Sequence, residues 1–317
     1  MIAPGPPHAT AAAWPACRDA SFASTIRRDE PGDAAIALIG LPDDTGVELN
    51  GGRTGAARGP SAFRSALARF GSVHDGLKRR DLAVSVWDAG DVLPAVGRDA
   101  RALEETHARV RAATTWLHER GLVVVAIGGG HDLSAPALGA LAAHAAGTVG
   151  GVNFDAHLDV RERVGSGMPF RKLIDERALD PSRFVEIGLG RFANDPGDLE
   201  WLSEKGARLV FADEVRTDGL DVVSALQTAL GGSTPAFLSI DLDGLDGSVA
   251  PGVSAVNPLG LGVAHACALS EAAGREPRIR HYDIMELCPD HDADGRTARV
   301  AALLFLHFVT GFAERPG

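Results

Sequence analysis

Eight short runs along the chain are apolar at consecutive positions rather than at alternate ones, at 35–40, 82–88, 122–127, 149–154, 184–190, 208–211, 236–240 and 279–284. A strand apolar on both faces must be covered on both faces. These runs therefore predict the central strands of a mainly parallel sheet between two layers of helices. The intervals leave room for crossover helices, expected at 99–119, 133–145, 217–230 and 296–312. No linker rich in Gly, Ser or Pro divides the chain after residue 35, and no internal repeat is evident. The expectation is an N-terminal extension over residues 1–33, a surface strap ordered only in part, followed by a single three-layer α/β/α domain over 34–317.

Composition excludes several classes of function. With 45% hydrophobic and 23% charged residues the chain is neither disordered nor fibrous. A net charge of −11 offers no basic patch for nucleic acid or an anionic membrane, and it suits cationic ligands or metal ions. No stretch reaches the roughly 20 apolar residues needed to span a bilayer. The longest candidate, 300–312, is broken by His307 and reads as a buried helix. Residues 1–20 lack the order of basic then apolar residues that marks a secretory signal. Cys17, Cys267 and Cys288 are an odd, dispersed set and read as free thiols in a reducing compartment. A cytoplasmic protein with a small-molecule partner is expected.

The unusual residues stand at the carboxyl ends of the runs, where open parallel sheets bind ligands. Run 122–127 leads into Gly128-Gly129-Gly130-His131-Asp132, three glycines that let the backbone approach something closely, then an imidazole. Run 149–154 leads into Asp155-Ala156-His157-Leu158-Asp159, and run 236–240 into Asp241-Leu242-Asp243. In extended chain alternate residues share a face, so Asp155, His157 and Asp159 converge, as do Asp241 and Asp243. A lone strand-end aspartate is ordinarily a helix cap; three such motifs on three runs are not. Four buried carboxylates would repel one another strongly unless cations neutralise them. Six donors with two bridging carboxylates suit two divalent ions. Oxygen and imidazole without thiolate favours Mn2+, though Ni2+, Co2+ or Zn2+ accept similar donors. Two bridged ions lower the pKa of a shared water to near neutrality. Nearby lie a Gly/Arg-rich loop at 46–64, a candidate substrate loop running from Ser166 to Arg171, and Glu286 at the end of run 279–284, placed to hold an amidinium or guanidinium cation.

These motifs resemble the ureohydrolase family of arginases, agmatinases and formimidoylglutamases. The carriers are GGGHD at 128–132, NFDAHLD at 153–159, SIDLDGLD at 239–246 with APGVSA at 250–255, and DIMEL at 283–287. The resemblance implies that His131, Asp155, His157, Asp159, Asp241 and Asp243 hold two manganese ions, with Asp155 and Asp241 bridging. Within the family, DVRERVGSGMPFRKL at 159–173, the loop at 46–60 and DADGRTARVAALL at 292–304 are most similar to formimidoylglutamases. Asp132 and Met168 depart from that pattern, which commonly has glutamate and threonine there. The implied reaction is hydrolysis of N-formimidoyl-L-glutamate to L-glutamate and formamide, with Glu286 orienting the amidinium and Asp159 passing a proton to the leaving amine. Arg171, then Ser166, Arg191 and Asn194, are the candidate contacts for the substrate's remaining polar groups, the two carboxylates above all. The alternative is a guanidino-compound amidinohydrolase releasing urea. Relatives of this kind are often homo-oligomers.

Overall fold

A computed structural model describes residues 5–315. In chain order its strands are β1 (Ala9–Thr10), β2 (Ile36–Leu41), a hairpin of β3 (His74–Asp75) and β4 (Arg80–Asp81), β5 (Val86–Val92), β6 (Val123–Gly128), β7 (Val149–Phe154), β8 (Leu179–Leu189), β9 (Arg208–Phe211), β10 (Ala236–Asp241) and β11 (Ile279–Met285). The helices are α1 (Thr45–Leu49), α2 (Gly59–Arg69), α3 (Ala100–His118), α4 (Ser134–His144), α5 (Pro169–Asp175), α6 (Pro196–Glu204), α7 (Ala212–Thr217), α8 (Ser224–Ala229), α9 (Val263–Arg275) and α10 (Arg296–Phe312), with short 3-10 turns between.

Nine strands form one sheet in the order β1-β5-β2-β6-β11-β10-β7-β8-β9. All its pairs are parallel except β1 with β5. Doubly apolar strands produce the three layers directly. Along β6, Val123, Val125 and Ile127 enter the core beneath α2, α8, α9 and α10, while Val124 and Ala126 enter a second core beneath α3. Along β10, Leu238 and Ile240 face the first core and Phe237 faces a third, built with α4, α5 and α6. The architecture is the single α/β/α layering expected.

Three local expectations need correction. The run at 82–88 becomes a strand only from Val86 and continues to Val92. Its polar end hid it: Asp88 and Asp91 are drawn into the sheet by Arg64, which is 1% exposed. That guanidinium donates Nε to Asp88 (2.7 Å) and Nη1 to Asp91 (2.6 Å). The helix expected at 217–230 is shortened to α8, with α7 ending where it was to begin, because Gly219 turns left-handed (φ 67°) and Asp221 accepts the Val223 N–H (3.0 Å). The strap is also more firmly tied than its composition suggested. β1 pairs with the edge of β5, the Trp14 indole donates to Asp88 (2.6 Å), and buried Phe22 meets Phe305 edge-on. No helix among the described residues is long and apolar enough to cross a membrane.

Candidate metal centre

The sheet order explains how four motifs, spread over more than half the chain, meet at one place. β6, β11, β10 and β7 are consecutive neighbours at the centre of the sheet. Their register pairs Ile127 with Ile284, Met285 with Asp241, and Ile240 with Phe154. Asp155, Asp241 and Glu286 therefore leave adjacent strands at nearly the same level, beside the Gly128–His131 turn. Each glycine-rich approach is tight. The Gly129 N–H donates to Leu41 and its carbonyl accepts from Glu286 N–H, both at 2.9 Å, and a Cβ there would overlap the Asp43 carbonyl oxygen. Gly129→Ala should lower stability in urea unfolding by about 1–3 kcal/mol through this overpacking, and weaken metal uptake as His131 shifts.

The donors converge by turns, where alternation along extended chain was expected. β7 ends at Phe154; the Asp155 carboxylate then accepts the His157 N–H (2.7 Å), and Asp159 is left-handed (φ 50°). Likewise Asp241 accepts the Asp243 N–H at 2.8 Å. The outcome is two groups of donors. His131, Asp155, Asp159 and Asp241 form one, and Asp155, His157 and Asp243 the other, with the ligand atoms of each within 4.8 Å of one another. Asp155 belongs to both. Asp241 enters only the first.

His131 Nδ1 lies 3.3, 2.9 and 3.0 Å from carboxylate oxygens of Asp155, Asp159 and Asp241, yet is aligned as a hydrogen-bond donor to none of them. Its Nε2 is 2.8 Å from the Ser239 hydroxyl, which donates in turn to Asp283. This is the usual arrangement of a ligating histidine, one nitrogen fixed from behind and the other aimed at the ion. Burial, and then the charge of Asp243, push the Asp241 carboxyl well above its ordinary range. Burial likewise raises Asp159, and Asp243 to about 6. Asp155 moves the other way; burial would raise it, but the two imidazoles prevail. The His157 imidazole is held up to about 12, chiefly by Asp243. So many crowded anions demand positive charge, and two divalent cations answer that demand better than protons. The unpartnered Nδ1 of His131 and Oδ1 of Asp243, both buried, fit such ions.

A cavity of about 150 Å³ opens over the donors, lined in part by Asn50, Asp159, Arg161, Ser166, Ser254 and Glu286. Glu286 is 2% exposed, left-handed (φ 63°), and accepts the His131 N–H with Oε1 (3.0 Å), while Oε2 has no partner. A non-glycine residue held in this region stores strain that its surroundings must override. The candidate substrate contacts divide. Ser166 lines the cavity, held beside Asn50, whose amide oxygen, facing the loop, accepts from the Gly167 N–H (2.9 Å). Arg171 does not: half-buried on α5, its guanidinium bonds Glu162 (2.6 Å) and lies 4.1 Å over Trp201. Arg191 is exposed and stacks on Phe192. Asn194 instead pins the donor turn, accepting from Leu158 N–H (2.9 Å) and donating to the Ala156 carbonyl (3.0 Å). Arg161 escaped the sequence reading. Its proximity to the DxHxD motif was the available signal. Asp132 and Met168 line no part of the cavity; Asp132 turns to His107 Nε2 at 2.7 Å.

The sequence matches the Arginase family over residues 34–311. The chain belongs to the arginase family. Among its relatives, a formimidoylglutamase of Ralstonia nicotianae is 35% identical over 90% of this chain and 87% of the relative. The crystal structure of Trypanosoma cruzi formiminoglutamase with Mn2+2 superposes with a TM-score of 0.86 at 37% identity, covering 94% of this chain and all of that one. The formimidoylglutamase of Bacillus subtilis gives 0.85 at 26% identity, with 96% of each chain covered. In this arginase-family chain the centre is backed by further buried polar groups. Ser134 joins Ser239 on Asp283 (3.0 Å), and Asn153 stands behind Asp155. Glu186, in β8, is wholly buried, and burial raises its carboxyl well above the ordinary range.

Proposed function

We propose that the chain is a formimidoylglutamase, hydrolysing N-formimidoyl-L-glutamate to L-glutamate and formamide with two Mn2+ ions. The observation that carries this reading is that relatives of that name align over nearly the whole chain, while all six expected donors fall in two groups that share Asp155. His131, Asp155, Asp159 and Asp241 would hold one ion, and Asp155, His157 and Asp243 the other. When bound, the ions supply charge neutralisation and an acidified water near neutral pH. Glu286 takes the amidinium through its free Oε2, which orients the formimidoyl carbon above the donors. Asp159, which lines the cavity, takes up a proton from the attacking water and passes it to the departing amine nitrogen, so the C–N bond breaks with glutamate leaving as a neutral amine. Three free thiols suit a reducing compartment, and a cytoplasmic site of action belongs to this reading.

The substrate carries two carboxylates, and Arg161 is the guanidinium that reaches the cavity. Bidentate bonding makes arginine suited to that task. Arg161→Met should raise KM about 10–100-fold, the worth of a charge-assisted hydrogen bond of roughly 1.5–3 kcal/mol, with kcat changed much less. Arg171→Met should leave KM near the parent value. Steady-state kinetics on the two variants check both statements, and equal effects would return Arg171 to the site. The function itself is tested by loading the protein with Mn2+ and assaying formamide, urea and ammonia release from formimidoylglutamate, agmatine, arginine and guanidinobutyrate. Formamide from formimidoylglutamate is expected. Urea from a guanidine, without formamide, would overturn the reading in favour of an amidinohydrolase.

A further inference from the structure

Behind the donors, one face of β7 and β8 breaks the apolar pattern. Asn153 and Glu186 are direct cross-strand partners, and both are 0% exposed. Their neighbours on that face include Phe184 and, across the sheet, Phe237 and Phe170. The Asn153 amide nitrogen donates to Glu186 (2.9 Å) and to Asp155 (3.2 Å), so a single NH2 group ties two carboxylates together. Glu186 Oε1 and Asn153 Oδ1 have no partner. A purely packing role would be served better by two apolar side chains, since buried polar groups left partly unsatisfied cost stability. Asp155 is the donor common to both groups, and its orientation bears on both ions at once.

We infer that Glu186 is a positioning residue: by fixing the Asn153 amide it sets the angle of the Asp155 carboxylate and so the assembly of the ion pair. This rests on the metal-centre reading above. In metal centres such outer groups typically change ion affinity about 10–100-fold. Mn2+ titration of the metal-free protein, followed by electron paramagnetic resonance of free ions and of the spin-coupled pair, tests it without recourse to turnover. Glu186→Leu should stay folded by circular dichroism, weaken the second ion about 10–100-fold and shrink the coupled signal. Glu186→Gln, which keeps an acceptor oxygen in place, should restore both. Asn153→Leu should match Glu186→Leu, and the double variant should be no worse than either, because the two act through one contact.

Parent-like assembly of the pair in Glu186→Leu overturns the inference, as do additive losses in the double variant. Should Glu186→Leu fail to fold, the comparison of Asn153→Leu with the wholly apolar double variant decides alone. A parent protein that takes up no pair of ions overturns the metal-centre reading as well. A parent that does, with unaffected variants, overturns only the role of Glu186.

Discussion

Asp241→Asn is expected to abolish hydrolysis while making the metal-free protein more stable. The two effects have one cause. Asp241 stands against His131 and beside Asp155 and Asp243, and folding raises its carboxyl well above the unfolded value. A carboxyl raised in this way favours the folded state only where it is protonated; as pH climbs past the ordinary carboxylate range, its ionisation weighs against folding. Asp159 and Asp243 are raised too, Asp243 to about 6. Without cations the stability of the parent should therefore fall from about pH 4 upward, and the asparagine variant should lose less. With Mn2+ the order reverses, because the parent gains binding free energy that the variant has forfeited. The kcat/KM ratio should fall by at least about 10³-fold, the upper end of what one well-placed electrostatic group contributes. Thermal melts with and without Mn2+, together with metal counting on dialysed protein, check each part. An asparagine variant that binds two ions and turns over substrate would refute the donor assignment.

The donors were legible because their chemistry depends on types at fixed spacing, and because strand ends are where a parallel sheet presents side chains. Asp155, His157, Asp159, Asp241 and Asp243 needed only those two facts. The backbone that brings them together was not legible. The alternating-face argument assumed extended chain, whereas Asx-type hydrogen bonds at Asp155 and Asp241 and a left-handed Asp159 make the turns. Both routes gather the same residues, so the pattern succeeded for a partly different reason.

Polarity misled in two directions. Asp88 and Asp91 looked like the end of a strand, yet they lie within one, because buried Arg64 arrives from α2, some 24 residues earlier in sequence. Nothing local announces that partner. Conversely, Arg171 looked like a carboxylate ligand because it ends the SGMPFR loop, but a helix begins at Pro169 and carries its side chain over to Trp201. Arg161, flanked by Glu162 and Arg163, carries no signal of its own beyond nearness to the donor motif, and only the fold of the loop back onto Gly167 sets it at the cavity. The Glu186–Asn153 contact lies inside two runs whose pattern predicts strands and nothing more. A single polar residue in an apolar strand acquires meaning only when the register names its neighbour.

Glu286→Gln is expected to leave both ions bound and to remove most of the activity. The side chain has two jobs on two atoms. Oε1 accepts the His131 N–H at 3.0 Å, a contact that a glutamine oxygen reproduces, so the GGGHD turn should keep its shape. Oε2 is buried and unpartnered on a side chain that lines the cavity, where an amidinium would supply the missing charge. Burial pushes this carboxyl up to about 8 in the protein alone; a bound cation favours the ionised form. The glutamine NH2 group would meet the amidinium donor to donor. Breaking a buried ion pair from one side costs about 3–5 kcal/mol, which corresponds to roughly 10²–10³ or more in kcat/KM. Metal content and melting temperature in Mn2+ should match the parent. Loss of the ions along with activity would make Glu286 a support of the turn and nothing more. Full activity with both ions present would show that the amidinium is held elsewhere. If Glu286 reads the cation's charge, the variant's deficit should shrink as pH is raised above the substrate's own pKa, where the amidine is neutral and a glutamine amide can pair with it.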